Sequence, residues 1–392
     1  MFFALKGDHF NGNEFAERAL LLGASYAIVD EEEYQTQENI ILVKDVLKTL
    51  QTLANHHRKK LNIPIVGLTG SNGKTTTKEL IQRVLSKKYK TAATRGNLNN
   101  HIGVPLTLLS MTPEHELGVV EMGANHQEEI EFLCSICEPD FGYITNFGKA
   151  HLEGFGSIKG VIKGKSELYT FLAENKKTVF VNPNDPIQIE KAQHMKSVYF
   201  NVREVHFLGA HPFVKIDYKN TQIQSQLVGA YNYSNIQAAI CIGDYFKIPK
   251  KEIQEAIESY VPSNNRSQII KTKTNSIILD AYNANPSSMC AALENFAALK
   301  KVEKVIILGD MFELGQDSLS EHQAIVHLAN SFNFTKQYFV GEHFYQTNTK
   351  ELQFKTFDDL ATYLKQHPLE NQHILIKGSR GMRLERVVAL VS

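Results

Sequence analysis

The sequence predicts an α/β protein of three domains. Three observations carry that expectation. Apolar, β-branched runs of strand length alternate with helical periodicities along most of the chain. Its 392 residues, 43% hydrophobic and 21% charged, suffice for more than one sizeable core. The alternation is interrupted by a helix leading to Pro64 and by the turn-rich "VPSNNRSQ" at 261–268, which divides the chain into 1–60, 61–267 and 268–392.

Residues 1–60 read as a small α/β unit. "FFALKG" and "YAIVD" are strand-like, and "NEFAERALLLGA" between them has helical periodicity and a glycine stop. "DVLKTLQTLANHHRKKL" is the next helix. In the second unit "PIVGLTG", "LGVVEMG" and "FGYITNFG" are continuous apolar runs, the pattern of parallel strands buried on both faces. Residues 203–228 alternate polar and apolar, which predicts a small antiparallel sheet; "SNIQAAICIGDYF" and "KKEIQEAIESY" follow as helices. In the third unit the strands are "SIILDAY", "KVIILGD", "KQYFVGE" and "HILIKGS". The helices are "SSMCAALENFAALK", "SEHQAIVHLAN", "FDDLATYLKQH" and "MRLERVVALV". That order predicts a doubly wound, Rossmann-like domain.

Bulk properties exclude some functions. Lys plus Arg and Asp plus Glu both number 42, so no general nucleic-acid or anionic-membrane partner is expected. No apolar run is long enough to span a bilayer, and the first ten residues lack the pattern of a signal peptide. Four cysteines make no disulfide scaffold. Cys134 and Cys137 read as two cysteines along one helix rather than as a metal or redox pair, and a reducing cytoplasm is expected.

The chemistry centres on "GLTGSNGKTTTKEL" at 67–80. Five positions before Gly73 stands Leu68, so the common phosphate-loop spacing does not fit, yet the stretch joins a predicted strand to a predicted helix. There Gly70, Ser71, Asn72 and Gly73 can offer backbone amides to phosphate oxygens. Lys74 can place charge on the outer phosphates, and Thr75 and Thr76 open the helix, Thr75 offering a hydroxyl to Mg²⁺. Glu121 ends the next strand and His151 follows another. In an open parallel sheet ligands bind beyond the carboxyl ends of the strands, so all three converge on one crevice. Taken singly, Glu121 reads equally as a surface carboxylate and His151 as a loop histidine; their shared position favours the functional reading.

At this point the chain resembles the Mur ligases of bacterial cell-wall synthesis. "TGSNGKTTT" is similar to their phosphate loop, "EMGANH" and "TNFGKAHLEGFGS" to their metal motifs, and "GKSEL" to their carbamylated-lysine segment. "RGNLNNHIGVPLTLL" resembles the stretch facing the muramyl substrate, and "GAYNYSNIQAAI" the adenine-side motif. "ILDAYNANPSSMCAAL", "VIILGDMFELG" and "ILIKGSRGM" look like the last domain of members that accept D-alanyl-D-alanine. The resemblance covers nearly the whole chain, in family order.

It implies an ATP-dependent, Mg²⁺-dependent ligase, with two ions, that adds D-alanyl-D-alanine to UDP-N-acetylmuramoyl-tripeptide through an acyl phosphate. It also implies a first domain for the UDP-muramyl peptide, a central P-loop ATPase-like domain and a last domain closing on ATP; a monomer is expected. Lys74, Glu121, His151 and Lys165 are the implied catalytic set, with Thr75, Glu121, His151 and carbamylated Lys165 as metal ligands. Asn232 would meet adenine, Arg266 the phosphates and Asp280 the ribose. Asn97, Asn99 and Asn100 would face the muramyl substrate, and Tyr282, Asn283, Asn285, Lys377, Ser379 and Arg380 the dipeptide. Without the resemblance Lys165 reads as an ordinary solvated lysine, Asp280 equally as a turn aspartate, and the asparagines and serines as turn and cap residues.

Two departures accompany the match. Family members usually carry several tens of residues before the equivalent of "MFFALKG", with a Ser/Thr-Arg motif beside the uridine nucleotide, so either a mis-assigned start or a shortened first domain is expected, and UDP-substrate affinity is the property affected. Glu128 stands where a glycine is expected, at a helix start that tolerates an acid. The rival readings are an amide ligase with another acceptor (diaminopimelate- or lysine-adding, or folylpolyglutamate synthase-like), an inactive nucleotide-binding homologue, and a generic phosphate-loop hydrolase or kinase.

Overall fold

The computed structural model describes residues 1–262 and 265–391. Part of the predicted break at 261–268, Ser263 and Asn264, lies outside the described residues.

The first unit is a three-stranded parallel sheet, Phe2–Phe3, Ala27–Val29 and Ile40–Leu42, with Ala27–Val29 in the middle. "FFALKG" does not form one strand. The chain turns at buried Ala4, and Lys6–Gly7 pairs antiparallel with Phe10–Asn11 instead. The helix predicted at 13–24 divides into a 3₁₀ turn, Gly12–Phe15, and a short α-helix, Ala16–Leu21.

Helix Val46–Leu61 starts on Asp45, whose carboxylate accepts from the Lys48 amide at 2.8 Å, and stops at Asn62 with φ 49°. Val46, Leu50, Ala54 and Arg58 recur every four residues and form its buried face. Arg58 donates to the Cys137 and Glu138 carbonyls and pairs with Asp140 at 2.8 Å, tying this helix to the central sheet.

That sheet has six parallel strands in the spatial order Lys196–Tyr199, Thr178–Val181, Phe141–Ile144, Ile65–Thr69, Leu117–Glu121 and Thr91–Ala93. Ile65–Thr69 and Leu117–Glu121 are buried throughout, as their unbroken apolar sequences require. After Ile65–Thr69 the chain builds one side of the sheet, then crosses to the other at Phe141–Ile144. The phosphate loop therefore leaves the sheet at its switch point. The alternating segment forms three antiparallel strands, Val205–Ala210, Phe213–Tyr218 and Gln222–Val228.

The last unit is a six-stranded sheet in the order Gln268–Lys271, Ser276–Asp280, His373–Lys377, Lys304–Gly309, Lys336–Val340 and Leu352–Phe354. All pairs are parallel except the first, where Gln268–Lys271 runs antiparallel as an edge strand. The closing segment, predicted as an α-helix, forms 3₁₀ turns at Arg380–Met382 and Leu384–Leu390. No helix among the described residues is long and apolar enough to cross a membrane. Cys134 and Cys137 are buried along helix Glu129–Cys137, and burial pushes the Cys137 thiol up to about 12.

Glu128 needs a correction. It is a helix-start residue, but its φ is 69°, the left-handed region that disfavours a side chain. Its backbone amide donates to Glu167 at 2.7 Å, a bond glycine would keep. Glu128→Gly is therefore expected to stabilise the fold by about 0.5–1 kcal/mol, the relief of left-handed strain less the extra chain entropy of glycine. A lowered midpoint in urea unfolding would contradict this.

Candidate active site

The phosphate loop is shaped by what surrounds its glycines. A side chain on Gly70 (φ 139°) would stand 2.0 Å from the Thr145 hydroxyl, and one on Gly73 (φ 79°) 2.7 Å from the Asn235 amide oxygen. The strand beside the loop continues into "TNFG" and holds it from below. Thr145 Oγ1 and Asn146 Nδ2 both donate to the Asn72 carbonyl, while Asn146 accepts from the Asn72 amide at 3.1 Å and, through its carbonyl, from Ser71 at 3.0 Å. Lys74 curls over the loop and donates to the Gly70 and Ser71 carbonyls at 2.6 and 3.2 Å. Burial lowers its pKa, with Glu121 opposing and Arg266 adding to the effect.

Glu121 lies at the end of its strand and is 1% exposed. Its Oε1 accepts from Asn99 Nδ2 at 2.9 Å and from the Thr75 hydroxyl at 3.4 Å, and its amide donates to Thr94 Oγ1. Its Oε2 is buried with no hydrogen-bond partner among the described residues. A buried carboxylate oxygen left unpaired beside a threonine hydroxyl is costly alone and suits a hard divalent cation such as Mg²⁺. The residues present thus fit the metal.

These groups open onto one cleft of about 800 Å³ between the central sheet and the last sheet. Of the expected residues, all but Gly70, Lys165, Ser379 and Arg380 line it. Gly70 is packed against Thr145. Ser379 is 2% exposed, and its hydroxyl accepts from the Phe312 amide at 3.0 Å, which makes it a loop anchor. Arg380 reaches the cleft only through Tyr282, 5.7 Å above the ring centroid.

Lys165 is not a solvated lysine. It is fully buried and donates to the Ala124 carbonyl at 2.8 Å, with Phe155 beneath its nitrogen. Burial, then the charge of Lys74, holds its pKa well below the usual lysine value. A neutral amine is the form that attacks CO₂, so the site fits a carbamate.

Several expected contacts are already taken. Asn232 is buried, its NH₂ donating to the Val228 carbonyl and its oxygen accepting from Asn235 at 2.8 Å. Asn235 in turn accepts from the Thr77 hydroxyl. Asn232 thus holds Asn235 against Gly73. Asp280 accepts from Lys377 at 2.6 Å and from the Ser267 amide at 3.1 Å. Asn100 accepts from the Ile102 and Gly103 amides just before helix Gly103–Leu109, and Asn97 is exposed on the cleft wall. Arg266 stacks 3.7 Å above Tyr282, and its Nε is buried without a hydrogen-bond partner among the described residues, a donor left over for an anion.

The central and last units also touch each other directly. Asn285 caps helix Pro286–Ala298 and donates to Asn72 at 2.7 Å. Ser287 accepts from the Lys149 amide at 2.8 Å, and Lys149 pairs with Glu321. His151 pairs through Nδ1 with Glu313 of the last unit. Sequence reasoning missed Asn146, Asn235, Ser287 and Glu313. All four lie inside motifs that carry the resemblance; Asn146 had in addition its place directly after a strand in "TNFG".

Fold and site together define a phosphate-loop nucleotide enzyme whose cleft is completed by a Rossmann-like unit. Comparison with known proteins agrees. The Mur ligase middle domain matches residues 68–243, and the domain described as Mur ligase, glutamate ligase domain matches 265–380. The UDP-N-acetylmuramoyl-tripeptide–D-alanyl-D-alanine ligase of Bacillus subtilis is 34% identical, over 99% of this chain and 89% of its own. That of Escherichia coli is 32% identical, over 99% and 90%. The crystal structure of MurF from Acinetobacter baumannii superposes with a TM-score of 0.87 at 28% identity, over 98% of this chain and 89% of its own. MurF of Thermotoga maritima in complex with ADP gives 0.85 at 25% identity, over 99% and 92%. The chain belongs to the Mur ligase family.

Proposed function

We propose that the chain is a cytoplasmic, ATP-dependent ligase that joins D-alanyl-D-alanine to UDP-N-acetylmuramoyl-tripeptide. Its full-length likeness to relatives of that name supports the reading. The observation that carries it is the single cleft shared by the phosphate loop, the unpaired Glu121 oxygen and the Asn283, Asn285 and Lys377 wall.

A carboxylate is a poor acyl donor. The γ-phosphoryl group of ATP passes to the tripeptide carboxylate, giving ADP and an acyl phosphate. The dipeptide amine attacks its carbonyl carbon, a proton leaves the nitrogen, and phosphate departs from the tetrahedral intermediate as the amide forms. Two anions must meet in the first step. Lys74, the loop amides and the Arg266 guanidinium supply positive charge there. Thr75 and Glu121 would hold one Mg²⁺ and His151 and carbamylated Lys165 a second; bound Mg²⁺ neutralises charge on the phosphoryl oxygens and the attacking carboxylate. Asp280 keeps lone pairs for the ribose, and Asn235, held by Asn232, stands at the loop's edge on the adenine side. Asn97 and Asn99 face the muramyl peptide. Residues 1–60 serve its UDP end, 61–267 ATP and 268–392 the acceptor. Tyr282, Asn283 and Lys377 meet the dipeptide, with Ser379 and Arg380 behind them.

Incubation with ATP, Mg²⁺, the UDP-muramyl tripeptide and a panel of amines should form ADP and the extended peptide with D-alanyl-D-alanine far faster than with diaminopimelate, lysine or glutamate. Turnover favouring one of the latter would replace this reading with another amide ligase.

A further inference from the structure

We propose that Glu313 is a positioning residue that sets the tautomer of His151 and so favours a free metal-ligating nitrogen when the last unit is docked. The inference rests on the proposed role of His151 as a metal ligand. His151 carries its side chain at a strained point, with φ 52°, directly before helix Leu152–Phe155. Its ring is mostly buried, and its Nδ1 meets the Glu313 carboxylate. An imidazole that donates Nδ1–H to a carboxylate keeps its lone pair on Nε2. A carboxylate partner of this kind fixes ring orientation and raises ligand basicity at metal-binding histidines.

Glu313 can do this because its loop is held from several sides. The Met311 amide donates to His322 Nε2 at 3.0 Å, the Phe312 amide to Ser379 Oγ at 3.0 Å, and the Ser379 amide to the Asp310 carbonyl at 3.0 Å. His322 and Asp310 are both buried, and Asp310 also accepts from the His343 and Phe344 amides. On the other side, the Glu313 carbonyl accepts from the Glu153 amide at 3.1 Å. Gly315, at φ 54°, stands beside Glu153. The loop thus grips the backbone beside His151 as well as its ring. Glu313 lies 162 positions from His151 in the chain and belongs to the other sheet system. Docking of the last unit and readiness of this ligand are therefore coupled. By linkage, a metal at His151 favours docking as much as docking favours the metal.

The test uses the full chain with ADP and Mn²⁺ as a paramagnetic probe, together with ¹⁵N-histidine NMR. In the wild type His151 should show the Nδ1–H tautomer without metal. Glu313→Ala should shift it toward a mixture and weaken Mn²⁺ binding about 10–100-fold, with ADP affinity in the absence of metal unchanged. Glu313→Gln, which keeps an acceptor, should restore much of both. An alanine variant with the wild-type tautomer and wild-type Mn²⁺ affinity overturns the inference. His151→Ala separates the two ideas. If it weakens Mn²⁺ binding while Glu313→Ala does not, the ligand role stands and the positioning role fails. If it leaves Mn²⁺ binding unchanged, both are wrong.

Discussion

Replacing Lys74 with alanine is expected to abolish phosphoryl transfer while leaving a folded protein. The ammonium is the one side-chain cation between Gly70 and Thr76, and it donates to the Gly70 and Ser71 carbonyls. Those carbonyls hold the charge where the outer phosphates would arrive, so little reorganisation is needed when charge develops in the transition state. Removing one such preorganised donor costs about 3–4 kcal/mol, or roughly 10²–10³ in rate. The folding cost is smaller. Two hydrogen bonds to backbone carbonyls are lost, each worth about 1 kcal/mol net, and the penalty of holding a charge out of water goes with them. Single-turnover ADP formation with all substrates present, read beside a thermal melt, checks both halves. An ordinary rate of ADP formation would remove this loop from the chemistry.

The second large effect is expected at Lys165. A side chain whose nitrogen lies against Phe155 and the Ala124 carbonyl has no need of charge for its own sake. Carbamylation forms an N–C bond to CO₂, releases a proton and leaves an anion that can ligate a cation, with Lys74 near enough to favour it. Lys165→Ala should lose most ligase activity, several kcal/mol in the barrier or on the order of a hundredfold or more in rate. Acetate or propionate should partly restore it by placing a carboxylate in the space vacated. Lys165→Met controls for the hole. It keeps the volume, should melt close to wild type, and should resist rescue because no space remains. Near-wild-type turnover by the alanine variant in bicarbonate-free buffer would end the carbamate reading.

Local sequence reports burial well and side-chain partners poorly, and the site divides along that line. "PIVGLTG" and "LGVVEMG" were legible as buried strands because both faces are apolar. The loop was legible because glycine and lysine spacing is local. Strands such as Thr91–Ala93 and Leu352–Phe354 were not, since three residues carry no period. Gln268–Lys271 was hidden behind the turn-rich break and exists as a strand only because Ser276–Asp280 lies beside it. Lys165 was unreadable from composition alone. A lysine among polar neighbours in "KGKSEL" looks solvated, and only the packing of its helix buries it. Asn232 illustrates the same limit. Its identity suggested a purine edge, but the fold gives its amide to Val228 and Asn235. Glu128 shows it for the backbone, where a tolerated residue type sits at a disfavoured angle.

The Asn72–Asn285 bridge has a consequence for how the enzyme is made. Its two residues are 213 positions apart. At ribosomal speeds of about 5–20 residues per second, the second emerges roughly 10–40 s after the first. Well before the end of that interval all six strands of the central sheet, the last ending at Tyr199, have left the ribosome and can pair with one another. The nucleotide cleft cannot, because one of its walls has not been synthesised. A nascent chain stalled before residue 285 is thus a folded sheet with an open phosphate loop, and nucleotide-dependent protection from proteolysis appears late, when the C-terminal third has joined it.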